Sequence, residues 1–132
     1  MPGLDDTIFA LATPPGRSAI AVIRISGGSA HRAAGAFGAA APAPGQFRLV
    51  RLKDGDGQTV DEALLLAMSG PRSSTGEDVL EIHCHGSSAV VHGLLQQLAA
   101  LDGFRPAEAG EFTHRMFANG RIDLLGVEAL AD

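Results

Sequence analysis

The sequence predicts an α+β fold, a mixed sheet with helices gathered toward the C-terminal half, from three observations. Short apolar runs rich in β-branched residues recur between residues 8 and 85. Two of them flank the turn-rich Asp54-Gly55-Asp56-Gly57 and read as a hairpin. Helical periodicity is clearest only later, at 87–101 and 110–118.

The elements follow in order. Residues 8–12 predict a short strand, and Thr13-Pro14-Pro15-Gly16 a turn. Residues 19–26 are apolar and broken only by Arg24, the pattern of a strand buried on both faces. Gly27, Gly28 and Ser29 open a short Ala-rich helix over 29–39, and Ala40-Ala41-Pro42-Ala43-Pro44-Gly45 is a loop. Strands at 47–52 and 60–68 make the hairpin, a Gly/Pro/Ser loop covers 69–77, and a further strand spans 78–85.

The helix at 87–101 has Ser87 or Ser88 as its cap. Val90, Val91, Leu94, Leu95, Leu98 and Leu101 share one face, and Gly103 lies just past its end. A third helix from Gly110 to Ala118 is stopped by Asn119-Gly120. Asp123 then caps a helix from Leu124 that is still running at Asp132, so the chain is expected to be cut from a longer one.

The 132 residues suit one domain, and 45% hydrophobic content against 19% charged supports a buried core. With no Trp and no Tyr, an aromatic platform for single-stranded nucleic acid is disfavoured. A net charge of −5, with Lys53 the only Lys, argues against a domain whose main task is holding nucleic acid. A single Cys, Cys84, rules out an intrachain disulfide and a Cys-based zinc site. No apolar run approaches the ~20 residues of a membrane span and the N-terminus is no signal peptide, so a soluble, cytoplasmic protein is expected. The phosphate-binding G-x-x-x-x-G-K-[ST] and G-x-G-x-x-G patterns and the G-x-S-x-G elbow are absent.

Chemistry is suggested by charge inside apolar strands. Alternation puts Arg24 on the face of Ile20 and Val22, and Glu81 interrupts Val79-Leu80-Glu81-Ile82 in the same way. A charge in such a strand is costly unless it is paired or meets a ligand. One reading is that the two lie at strand ends, one wetted and one paired. The other is that they anchor a flat polar ligand, since a carboxylate accepts two parallel hydrogen bonds from an amino-and-ring-NH edge. Glu81, His83 and His85 share a face, and with His92 they also admit a metal reading, although same-face neighbours on one strand diverge. Arg121, just after the Asn119-Gly120 stop, is placed to reach a ligand's acidic tail from a loop.

The motifs carry a resemblance. Asp6-Thr7-Ile8, Ala12-Thr13-Pro14-Pro15-Gly16-Arg17, Ile20 to Gly27, Thr75-Gly76-Glu77-Asp78-Val79-Leu80-Glu81, His85-Gly86, Gly110-Glu111-Phe112-Thr113, Arg115 and Phe117 to Leu124 resemble the opening of the MnmE (TrmE) family of tRNA modification GTPases. Val127 to Asp132 resembles the start of that family's helical domain. Departures are Ser74 where an aromatic is common, Ser87 where a second Gly follows His-Gly, and Ala109 where Pro precedes Gly110.

The resemblance implies an N-terminal folate-binding and dimerisation domain over 1–120 and a link into the helical domain over 121–132. It implies a fold similar to the folate-binding module of glycine-cleavage aminomethyltransferases. It further implies a tetrahydrofolate derivative, 5-formyl- or 5,10-methylene-tetrahydrofolate, held by Arg24, Glu81 and Arg121. No catalytic residue and no metal ligand is assigned to this chain. GTP hydrolysis, with its GTP, magnesium and potassium sites, belongs to a GTPase domain outside these residues. The implied partners are a second copy in a homodimer, the FAD-dependent protein MnmG, and tRNA through the full complex, whose wobble uridine is modified; no membrane is involved. The alternatives are a dimerisation scaffold with a vestigial pocket and a stand-alone folate-dependent one-carbon transferase.

Overall fold

The computed structural model describes residues 5–14 and 19–120. Six strands form one mixed sheet: β1 (Thr7–Leu11), β2 (Ile20–Ser26), β3 (Phe47–Lys53), β4 (Thr59–Met68), β5 (Val79–His85) and β6 (Phe104–Pro106), in the order β3-β4-β5-β2-β1-β6. Every pairing is antiparallel except that of β1 with β6. A 3₁₀ turn, Ala30–Arg32, runs into α1 (Ala33–Ala36); α2 spans Ser88–Ala99 and α3 spans Glu111–Ala118. The fold is α+β, as the sequence predicts.

α1 and α2 cover one face of the sheet. Ala21, Ile23 and Ile25 of β2, Leu80, Ile82 and Cys84 of β5 and Leu65 of β4 meet Phe37, Leu94 and Leu98 there. The stripe read from the sequence is the buried face of α2: Leu94 and Leu98 have no exposed surface, and Val90, Val91, Leu95 and Leu101 pack at their margin. The Ser87 Oγ accepts the Val90 N–H at 3.5 Å and caps the helix. Cys84 lies in this core, where burial, helped by the Asp61 charge, pushes its thiol up to about 11. In the native protein it should therefore resist iodoacetamide at pH 8 and react only after denaturation, as mass spectrometry would register; rapid native labelling would contradict its burial.

Three expectations are corrected. β2 is not buried on both faces: Ala21, Ile23 and Ile25 are inside, whereas Ile20 is 59% exposed, because helices cover only one side of the sheet. The helix expected over 29–39 is only the 3₁₀ turn and the single turn of α1. Gly38, at φ 70°, stops it, and the Phe37 carbonyl accepts the Lys53 N–H of β3 at 2.8 Å instead of continuing a helix. β6 was not expected at all. Its three residues, ending in Pro106, carry no periodicity, and it exists because its edge pairs with β1, extended by Thr7 N–H to Gly103 O and Ala107 N–H to Phe9 O, both 2.9 Å. The helix expected from Leu124, with its cap Asp123, and the second half of the turn at 13–16 lie outside the described residues.

Candidate functional site

The second face of the sheet carries the charged strand residues. β2 and β5 pair over seven positions, so that Arg24 stands directly opposite Glu81, Ser26 opposite Val79 and Val22 opposite His83. β4 adds Leu64 beside His83 and Leu66 beside Glu81; β1 adds Ala10 beside Arg24 and Ile8 beside Ser26.

One end of this face is roofed. Ile8, Ser26 and Val79 are fully buried, yet none belongs to the cluster under α1 and α2. Over Ser26 stands the 73–77 loop, which is tied in turn to α3. The Ser26 and Thr75 hydroxyls hydrogen-bond at 2.7 Å, and Ser26 Oγ donates to Glu77 Oε1 at 2.8 Å. Arg115 of α3, with no exposed surface, donates from Nη1 to both Glu77 oxygens at 3.0 and 3.2 Å and from Nη2 to Glu111 Oε2 at 3.4 Å. Asn119 Nδ2 donates to the Thr75 carbonyl at 3.1 Å. Arg105 of β6 in turn joins Glu111 to Asp6, donating at 2.7 Å from Nη1 and at 3.0 Å from Nε. Gly27 permits the close approach beneath this roof: at φ 143°, a Cβ there would stand 2.7 Å from the Thr7 Cα.

The bond from Arg105, opposed by burial, holds the Glu111 carboxyl down at about 2. A depressed folded value means that Glu111 contributes stability above its unfolded value of about 4.5, and that this contribution fades as pH falls toward 2. Urea midpoints measured across that window should drop in the wild type and flatten in Glu111→Gln; parallel curves would remove Glu111 from the acid transition.

The other end of the face is open. Ile20, Phe47, Leu49 and Leu64 are 59%, 61%, 62% and 41% exposed. Ile20, Leu49 and Leu64, with His83 and His85, edge a shallow groove of about 220 Å³, and Phe47 stands against the His83 ring. At the step between roof and groove stand Arg24, Glu81 and His83. Arg24 Nε donates to Glu81 Oε2 at 2.8 Å, and His83 Nε2 meets Glu81 Oε1 at 3.0 Å. Burial pushes the Glu81 carboxyl up, but the bonds and charges of Arg24 and His83 outweigh it and hold it below the usual carboxylate value.

Two of the three residues singled out as ligand contacts are thus brought together in mid-strand, paired with each other rather than lying at strand ends. Arg121 falls outside the described residues. The metal reading loses its geometry. His85 gives its Nδ1 to Asp61 Oδ1 at 2.7 Å, His83 turns to Glu81, and His92 lies across the sheet in a cleft with Phe9 and Leu95. Among the described residues no group of three or more His, Cys, Asp or Glu is arranged to hold a metal ion. What sequence reasoning missed is the Arg115 network. Its one local signal is the i, i+4 spacing of Glu111 and Arg115; the loop that buries Arg115 lies far away in the chain.

The site can bind a flat polar edge. Glu81 is nearly buried and ionised, an acceptor-only group with lone pairs left beyond the two in use. Arg24 is held through Nε, and its two terminal nitrogens have no partner among the described residues, which leaves a charged donor edge beside the carboxylate.

Comparison with known proteins points one way. A family model described as the GTP-binding protein TrmE N-terminus matches residues 7–121. The chain is 50% identical over 127 residues to a "tRNA modification GTPase MnmE" of Erythrobacter litoralis, covering 96% of this chain and 30% of that relative. It is 51% identical over 128 residues to the protein of that name from Azorhizobium caulinodans, covering 96% and 29%. Against that of Alkalilimnicola ehrlichii it is 52% identical over 126 residues, covering 96% and 28%. The chain therefore spans less than a third of the length of the curated relatives it matches.

Proposed function

Because this chain belongs to the family of the GTP-binding protein TrmE N-terminus, we propose that it is the tetrahydrofolate-binding and dimerisation domain of a tRNA-modifying GTPase. The domain occupies residues 1–120, with 121–132 leading into a helical domain, and its fold is similar to the folate module of aminomethyltransferases. The observation that carries the reading is the Arg24–Glu81 pair: an ionised, nearly buried carboxylate beside a guanidinium with an unused donor edge, at the border of roof and groove.

Glu81 accepts the amino-and-ring-NH edge of the pterin. Arg24 and Arg121 meet its carbonyl and acidic groups. The bound 5-formyl- or 5,10-methylene-tetrahydrofolate supplies a one-carbon unit; these side chains bind and orient. Dimerisation is supported by Ile20, Phe47, Leu49 and Leu64, large apolar residues exposed together on one sheet face. GTP hydrolysis with magnesium and potassium, work with the FAD-dependent partner MnmG on the wobble uridine of tRNA, and a cytoplasmic setting complete the proposal for the whole protein. Among the described residues no helix is long and apolar enough to cross a membrane.

Calorimetric titration of the full-length protein with 5-formyl-tetrahydrofolate tests the reading, with light scattering in parallel. Saturable binding at one site per chain by a dimer is expected. A folded dimer that takes up no folate would instead leave a dimerisation scaffold.

A further inference from the structure

Glu81 is held at both oxygens, and only one of its two holders belongs to the ligand contacts proposed above. Arg24 fixes Oε2 with a single bond from Nε, about which the carboxylate is free to swing. The second bond, from His83 Nε2 to Oε1 at 3.0 Å, removes that freedom. His83 is two residues along β5 on the same face, opposite Val22 and Leu64. Its ring meets the edge of Phe47 at 6.4 Å and 83°, which sets the ring plane. An imidazole nitrogen that bonds to a carboxylate carries its proton there, so Nε2 donates.

We propose that His83 is a positioning residue for the folate site: it orients the Glu81 carboxylate so that both oxygens face the two parallel N–H groups of the pterin edge. This rests on the folate reading and deepens it. A bidentate acceptor works only when both oxygens lie in the plane of the incoming donors, and a carboxylate fixed in that plane loses no torsional freedom on binding. His83 also lines the apolar groove, so it joins the anchor to the open face of the sheet.

Two replacements separate positioning from packing. His83→Phe keeps a ring against Phe47 and removes the donor. His83→Gln removes the ring but keeps an N–H donor the same number of bonds from Cα. Titration of each full-length variant with 5-formyl-tetrahydrofolate, with thermal unfolding as a control, should give about tenfold weaker binding for Phe and binding within about twofold of wild type for Gln. Wild-type affinity in the Phe variant, tighter binding there because a competitor for Oε1 has gone, or equal loss in both variants would each overturn the positioning role. Absence of binding in the wild type itself would overturn the folate reading, and this inference with it.

Discussion

Replacing Arg115 with Ala should lower the unfolding free energy by about 3–5 kcal/mol, read as a large drop in the urea midpoint. The guanidinium has no exposed surface and meets Glu77 through Nη1 and Glu111 through Nη2. Truncation leaves two part-buried carboxylates facing a void, and the cost is that of charge without a counter-charge rather than of the lost bonds alone. Glu111 keeps Arg105, so Glu77 bears most of the loss. Arg115→Ala combined with Glu77→Gln should therefore recover part of the stability, because the amide sheds the orphaned charge. Arg115→Lys should fall between, one ammonium being unable to span both partners. A loss below about 1 kcal/mol would mean that water reaches the cluster and that the roof over Ser26 is not closed.

Glu81→Ala should weaken 5-formyl-tetrahydrofolate binding at least tenfold while leaving the fold in place. Hydrogen bonds to a buried charged acceptor contribute about 1.5–3 kcal/mol each, and the pterin edge would lose two. Stability should change much less than for Arg115. The Arg24 side chain is 32% exposed and can turn its head into water once its partner is gone. Glu81→Gln should lose nearly as much affinity as Ala, since an amide offers one acceptor and one donor where two acceptors are needed. An unchanged dissociation constant in Glu81→Ala would remove Glu81 from the site. A lost dissociation constant together with a collapsed midpoint would show that its role is to satisfy Arg24.

The local patterns were legible because they depend on neighbours in the chain. Alternation along 20–26 and 79–85 put Arg24 and Glu81 on definite faces, and the pair Ser87-Ser88 announced the start of α2, of which the structure uses Ser87. The period-two pattern could not say which residues stand opposite, because register between strands 57 residues apart is set by the whole sheet. It could not say that one face of β2 stays open either, since that depends on where α1 and α2 settle. β6 is strand only by virtue of β1, and the helix expected over 110–118 gave no sign of its partners Glu77 and Thr75, which lie 38 residues from Arg115 and 44 from Asn119.

The amino-acid order alone thus determined the class of fold, the faces on which the charges lie and the family motifs. Tertiary structure decided that Arg24 and Glu81 neutralise each other, that His83 completes the grip, and that Arg115 is buried. Propensity and periodicity act over a few residues, whereas desolvation and ion pairing depend on what the folded chain brings within about 4 Å.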